Sequence, residues 1–305
     1  MRQHFIFASV SDKPFRLAVV QCRGNALVPD RFARLKDLIR RAANGGGQVV
    51  LLPELIFHDY FCIGEDLRHF DLAHTLEAAP VRELQALAGE LRIALVLPFF
   101  ERRPPGVYHN SAAVFDADGS LAGLYRKMHI PHDPGFNEKY YFAPGDLGFK
   151  SIATRYGKIG VLICWDQWFP EAARLTALQG CDALLYPTAL GWDDIESGRL
   201  SPAEAQALEA RHLEAWITIQ RSHAIANGVY VAAANRVGRE GHLRFWGNSF
   251  IAAPGGEILA RMGPEEEGVI FAGIDPARVE MERRVWPFLR DRRIDAYQGL
   301  LGRGG

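Results

Sequence analysis

Ile159-Gly-Val-Leu-Ile-Cys164-Trp-Asp-Gln-Trp-Phe-Pro170 is an apolar run that stops at a cysteine and gives way to an aromatic, acidic turn. A short run that is apolar throughout predicts a strand buried on both faces. Ending that strand at Cys164 delivers the sulfur to the C-terminal edge of a sheet, where ligands bind in open α/β folds. The following segment, Pro170-Glu-Ala-Ala-Arg-Leu-Thr-Ala-Leu-Gln-Gly180, opens on Pro and Glu and closes on Gly, which predicts a helix. A cysteine between strand and helix N-terminus feels the positive end of the helix dipole, so the expectation is a thiol biased toward thiolate. The other reading of such a residue is a buried structural cysteine.

The same alternation extends in both directions. Phe15–Cys22 reads as a strand and is followed by a helix from about Pro29, with Phe32, Leu35, Leu38, Ile39 and Ala42 on one stripe and Asn44-Gly-Gly-Gly47 ending it. Gln48–Leu52 is a second short apolar strand, with Pro53-Glu54 just past its end. A helix over Val81–Leu91 leads to a strand over Ile93–Phe99. Val107–Asp116 and Leu121–Lys127 form a strand pair joined by Asp118-Gly119, a hairpin signal. A long Pro- and Gly-punctuated loop covers Met128–Gly148. Beyond the Cys164 unit come the strand Asp182–Tyr186, a helix from about Pro202 to Asn227, and strands near Val229–Ala234, Asn248–Ala252 and Val269–Ile274. Alternating strands and helices predict a layered α/β protein. With no composition break along the chain, the expectation is one domain over residues 15–297, an N-terminal extension over 1–14 and a tail over 298–305.

Composition sets the outer bounds. In 305 residues, 48% hydrophobic and 23% charged, the formal net charge is −1 with no basic stripe, which leaves nucleic acid without an electrostatic footprint. No apolar stretch approaches the roughly 20 residues a bilayer-spanning helix needs, and the first ten residues do not read as a signal peptide. Cys22, Cys62, Cys164 and Cys181 lack CxxC spacing, which argues against zinc and against a disulfide framework. A reducing cytoplasm is the expected location.

A cysteine nucleophile needs a base, and an acyl transition state needs donors or positive charge near the new oxyanion. His109, His129, His132 and His223 have no distinctive context. Glu54 does, because a carboxylate directly after a buried apolar strand is costly without a partner or a task. Lys127 stands at another strand end, in Gly123-Leu-Tyr-Arg-Lys127-Met-His-Ile-Pro131. Taken singly, Glu54 could cap a helix and Lys127 could be a solvated strand end.

Jointly, Leu51-Leu-Pro-Glu54-Leu, Tyr125-Arg-Lys127-Met-His-Ile-Pro131 and Gly160-Val-Leu-Ile-Cys164-Trp-Asp make the chain resemble the nitrilase, or carbon–nitrogen hydrolase, superfamily, with its Glu–Lys–Cys triad. The three segments occur in the family's order, within a likeness running from about Phe15 to Tyr297. The resemblance implies a four-layer α-β-β-α sandwich and no cofactor or metal. It implies Glu54 as general base, Cys164 as the nucleophile that becomes an acyl-enzyme, and Lys127 with the backbone N–H of Trp165 as the oxyanion site. Glu138, in Phe136-Asn-Glu138-Lys-Tyr-Tyr-Phe142, matches a second glutamate that positions the lysine and the substrate. His129 and His132 could be mistaken for a metal pair, but Pro131 between them rules out a regular helix through both.

Within the superfamily, Tyr125–Leu190 is most similar to N-carbamoylputrescine amidohydrolases, which implies a ureido substrate hydrolysed to amine, ammonia and carbon dioxide. Two departures stand out: His58-Asp59 where that subgroup has Glu-Gly, and a distinct stretch over residues 193–202 before the long helix. A cationic tail would want acidic walls, for which Asp59, Asp193, Asp194 and Glu196 are available. Tyr60, Trp168 and Trp192 are further pocket candidates, the tryptophans as walls for an alkyl chain. The alternatives are the same machinery on another carbamoyl amine or amino acid, an ω-amide or a nitrile, or a catalytically silent assembly subunit. A carboxylated substrate would call for an arginine clamp, with Arg174 and Arg236 as candidates. The Arg- and aromatic-rich stretch Arg283–Tyr297 predicts a homodimer or larger assembly.

Overall fold

The computed structural model describes residues 13–24 and 29–303, so most of the 1–14 extension lies outside the described residues. The chain runs β1 (Phe15–Gln21), α1 (Pro29–Asn44), β2 (Val49–Leu51), α2 (Ala79–Leu91), β3 (Ala94–Arg102), β4 (Tyr108–Phe115) and β5 (Leu121–Arg126). A long loop holding the one-turn helix α3 (Glu138–Tyr141) leads to β6 (Ser151–Ala153), β7 (Lys158–Val161), α4 (Pro170–Ala177) and β8 (Ala183–Pro187). Next come β9 (Gly191–Asp193), α5 (Asp194–Ser197), α6 (Pro202–Asn227), β10 (Tyr230–Ala234), β11 (Val237–Glu240) and β12 (Leu243–Trp246). The last elements are β13 (Phe250–Ala252), β14 (Ile258–Arg261), β15 (Gly268–Ile274) and α7 (Pro276–Val285).

Two six-stranded sheets form, in the orders β15-β1-β2-β3-β4-β5 and β14-β13-β10-β8-β7-β6, with a small third sheet β11-β12-β9 at the side. Each large sheet has a parallel centre, β1-β2-β3 and β7-β8-β10, flanked by antiparallel strands. Period-2 geometry explains the packing. In the first sheet Leu17, Val19, Leu51 and Val96 face the second sheet and its Ile159, Val161 and Leu185. The alternate residues Ala18, Val20, Val50 and Leu95 face Leu35 and Leu38 of α1 and Leu84 of α2. Ala172, Ala173 and Ala177 of α4, with Trp216 and Ala224 of α6, cover the other side of the second sheet. This is the four-layer α-β-β-α sandwich. Its central strands are apolar on both faces, which is why their sequences run without alternation.

The structure also carries elements the periodicity did not announce. Residues 193–202 are no bare loop: Asp193 ends β9, which pairs with β12, and its side chain caps α5 through the amides of Ile195 and Glu196. Strands β11, β12 and β14 are four residues each, and β14 has no fully buried residue. Helix α7 buries only Val279, so it shows no apolar stripe. By contrast α6 keeps its predicted bounds, with a Ser201–Glu204 capping box, Pro202 in the first turn and Gly228 at φ +57°. Among the described residues no helix is long and apolar enough to cross a membrane.

Candidate active site

Glu54, Lys127, Glu138 and Cys164 come from four separate stretches and meet inside the sandwich. The Lys127 Nζ lies 2.9 Å from Glu54 Oε1 and 2.6 Å from Glu138 Oε2, and all three side chains are fully buried. Asn110 on β4 adds a 2.7 Å bond from Nδ2 to Glu54 Oε1, while its carbonyl accepts from the Lys127 amide at 2.9 Å. Glu54 Oε1 is thus fully engaged, and Oε2 has no partner among the described residues. Tyr60 donates its hydroxyl to the other glutamate, 2.7 Å from Glu138 Oε1.

The electrostatics follow from burial. Desolvation by itself would push the Lys127 ammonium down, but Glu138 and Glu54 hold it charged, well above the ordinary lysine range. Burial pushes Glu138 up and Glu54 adds to it, while Lys127 pulls the other way. Cys164 corrects the expectation of a thiolate. It is buried, and desolvation first, then Glu54, raise its thiol well above the usual value, outweighing Lys127 and a hydrogen bond from the Ala189 backbone. The helix after it does not begin until Pro170, since Cys164–Trp168 forms a 3-10 turn, so the sulfur does not sit at the helix N-terminus. The resting Cys164 side chain is therefore a neutral thiol.

Two residues beside these groups take a left-handed backbone that costs a non-glycine residue about 1–3 kcal/mol: Leu55 at φ +48° and Cys164 itself at φ +44°. Arg236 secures the first. Its Nε and Nη2 donate to the carbonyls of Glu54, Leu55 and His58 at 3.0, 2.5 and 2.7 Å, and Nη1 takes both oxygens of Glu240 at 2.9 and 2.8 Å. All five guanidinium donors are used. Arg236 is therefore a brace for the Glu54 turn and has nothing left to clamp a substrate carboxylate. Arg174, near Arg292, does not line the cavity described next.

A cavity of about 360 Å³ opens beside the turn that carries Cys164, with Trp165, Trp168, Leu190, Trp192, Asp193 and Glu196 among its walls. Trp165 follows Cys164, and Leu190 follows the Ala189 whose amide bonds the sulfur, so both tie the cavity to the cysteine. Asp133 also contributes, and among the described residues no lysine or arginine lines it. Two pocket candidates fall elsewhere. Asp59 is half-exposed and pairs with Arg31 at 3.6 Å, because the Glu54 turn swings it outward. Tyr60 is buried under Glu138 rather than on the cavity wall, held there by Phe136 and Phe245. Asp194 is taken up by Arg239 and Arg244. His129 does not pair with His132 but bonds Asp166, 2.7 Å from Nδ1 to Oδ1, and His132 is exposed.

Sequence reasoning missed Asn110, Asp166 and the true role of Arg236. The buried polar pair Asn110-Ser111 inside an apolar strand was a usable signal for the first. Nothing local marks the other two.

The chain is similar over most of its length to proteins of known family. The carbon-nitrogen hydrolase family matches residues 16–284. An N-carbamoylputrescine amidase of Solanum lycopersicum is 42% identical over 90% of this chain and 90% of its own. A citrullinase of Francisella tularensis is 39% identical over 94% of this chain and 98% of its own. The crystal structure of a carbon-nitrogen hydrolase from Helicobacter pylori G27 superposes with a TM-score of 0.88 at 43% identity, over 96% of this chain and 100% of that one.

Proposed function

This chain belongs to the carbon–nitrogen hydrolase family and is an amidohydrolase of carbon–nitrogen bonds, and we propose that its substrate is a ureido compound with a cationic tail, N-carbamoylputrescine above all. The observation that carries the chemistry is the buried ammonium of Lys127 held between Glu54 and Glu138 beside a neutral Cys164. Glu54 takes the thiol proton on its free oxygen as the sulfur attacks the ureido carbonyl. The oxyanion is received by the Lys127 ammonium and the Trp165 backbone N–H. The C–NH2 bond then breaks, ammonia leaves with the proton Glu54 returns, and a carbamoyl thioester remains on Cys164. Water deprotonated by Glu54 attacks that thioester, the sulfur recovers its proton, and the released carbamate decomposes to amine and carbon dioxide.

The cavity lining supports the cationic tail. Asp133, Asp193 and Glu196 give it an acidic rim, the indoles of Trp165, Trp168 and Trp192 give apolar walls, and it offers no fixed positive charge. Such a lining suits an alkyl chain ending in ammonium. It suits a carboxylate poorly, since Arg236 is saturated. The test is ammonia release from a panel of N-carbamoylputrescine, citrulline, N-carbamoyl-β-alanine, glutaramate and a simple nitrile. We expect kcat/KM for N-carbamoylputrescine to exceed each carboxylated compound by about 100-fold, the scale of one well-used charge contact. A preference for citrulline or N-carbamoyl-β-alanine would overturn the assignment of the tail while leaving the chemistry.

That substrate implies a role in polyamine synthesis, and a cytoplasmic location accords with four free, buried cysteines. Self-association is part of the same reading. Met281, Val285, Trp286 and Phe288 are exposed at 57, 59, 61 and 42%, and the rings of Trp286 and Phe288 stack 5.9 Å apart. An apolar patch of this kind marks an interaction surface. Sedimentation should give at least twice the 34.0 kDa chain mass, and Trp286→Glu should shift the protein toward smaller species.

A further inference from the structure

The two donors of the oxyanion site come from different sheets. Lys127 follows β5 of the first, and Trp165 lies in the turn after β7 of the second. The core between the sheets is apolar, and apolar packing carries no directional bond to fix their separation at the scale catalysis needs.

We propose that Asp166 is the positioning residue that sets this separation, an inference that rests on reading Lys127 and the Trp165 amide as the oxyanion donors. Asp166 is fully buried, and each of its oxygens accepts two hydrogen bonds. Oδ2 takes the Tyr125 hydroxyl at 2.7 Å and the Ile163 amide at 2.9 Å. Oδ1 takes the His129 amide at 3.0 Å and His129 Nδ1 at 2.7 Å. Tyr125 and His129 stand two residues before and two after Lys127, so the carboxylate holds the backbone on both sides of the lysine. Ile163 directly precedes Cys164, and Asp166 directly follows Trp165, so the same carboxylate holds the cysteine turn. The Asp166 amide also donates to the Ile163 carbonyl at 3.0 Å, closing that turn around the left-handed Cys164.

The partners are themselves fixed. The His129 ring stacks on Phe169 with centroids 3.7 Å apart and planes 7° from parallel, and Phe149 stands at 6.2 Å. The Tyr125 side chain is buried in the inter-sheet core. A carboxylate serving only to cap the cysteine turn would need the Ile163 bond alone. Three of the four bonds instead reach the segment around Lys127.

The test separates reactions that build an oxyanion from those that do not. Methyl methanethiosulfonate is attacked by Cys164 at sulfur and places no charge on a carbonyl oxygen. In Asp166→Asn one accepting oxygen becomes a donor, and kcat for ureido hydrolysis should fall about 100-fold, the scale of losing one oxyanion donor, with KM within about threefold. Modification of Cys164 by the thiosulfonate should stay within about threefold of the wild type. Tyr125→Phe, which loses one of the four bonds, should lose about tenfold in kcat with the same split, and it decides the matter if Asp166→Asn does not fold. Parallel loss of turnover and thiol reactivity, or a kcat within about threefold of wild type, would overturn the inference. If Lys127→Met abolishes turnover and Asp166→Asn does not, the oxyanion reading survives and only the role of Asp166 falls. If Lys127→Met turns over normally, both fall.

Discussion

Cys164→Ala is expected to lower kcat by about 10⁴-fold or more, the scale of deleting a covalent nucleophile, while the protein stays folded. The loss is that large because no other side chain at the site can form the acyl intermediate. Glu54 could at best direct water at an unactivated amide. The fold should survive because the sulfur is a single atom in a region already packed by Tyr186, Leu190 and the α4 alanines, and truncating it leaves only a small void. Cys164→Ser should be nearly as inactive. Burial and Glu54 already disfavour the anion at this position, so a far weaker acid than a thiol would not yield its proton to a carboxylate. The same reasoning gives a pH signature in the wild type. Because the thiol is raised well above its ordinary value, modification by the neutral thiosulfonate should keep rising with pH beyond the range where a free cysteine levels off. Turnover in a purified Cys164→Ala variant above about 1% of wild type would remove the mechanism.

The parts of this design visible in the sequence are those where a polar group interrupts an apolar run. Glu54 and Cys164 each stand at or just past the end of a buried apolar run, and for Glu54 the cost of leaving a buried carboxylate idle is what makes it conspicuous. Lys127 follows the half-exposed edge strand β5 and was legible only together with the other two motifs. The strands themselves were readable because Leu17–Val20, Val49–Leu52 and Ile159–Ile163 are apolar on both faces. Elements at the periphery were not. Val237-Gly-Arg-Glu240 and Leu243-Arg-Phe-Trp246 are too short to show a period, and α7 packs by one valine. The groups that tie the site together escaped for another reason. Arg236 reaches residues about 180 positions away, and Asp166 gathers Tyr125 and His129 from 41 and 37 residues off, contacts no local pattern encodes. Asp59 shows the converse error: five residues from Glu54, it points away from the site because Leu55 and Arg236 turn the chain beneath it. The thiolate expectation failed on magnitude. A helix dipole contributes of order 1 kcal/mol, whereas desolvating a buried charge costs several.

Lys127→Met should cost both activity and stability, and the two losses should be separable. Glu54 and Glu138 share one ammonium, at 2.9 and 2.6 Å, with no exposure to water. Removing it leaves two buried carboxylates without their counter-ion, a change worth about 3–5 kcal/mol when one partner of a buried pair is lost. The protein can relieve this by protonating Glu138, which burial and Glu54 already push upward. A carboxyl whose folded pKa is raised adds no penalty below its unfolded value, and its penalty grows as pH rises toward the folded value. The gap in melting temperature between wild type and Lys127→Met should therefore be wider at pH 8 than at pH 5. Adding Glu138→Gln removes one of the two stranded charges, so the double variant should recover most of the lost stability and lose the pH dependence of the gap. It should not recover turnover, because the oxyanion still lacks its cation, a loss of about 100-fold or more by itself. Thermal melts at the two pH values with kcat for wild type, single and double variants complete the cycle. A double variant that regains activity along with stability would mean that Lys127 serves the fold and that the charge on the oxyanion is met elsewhere.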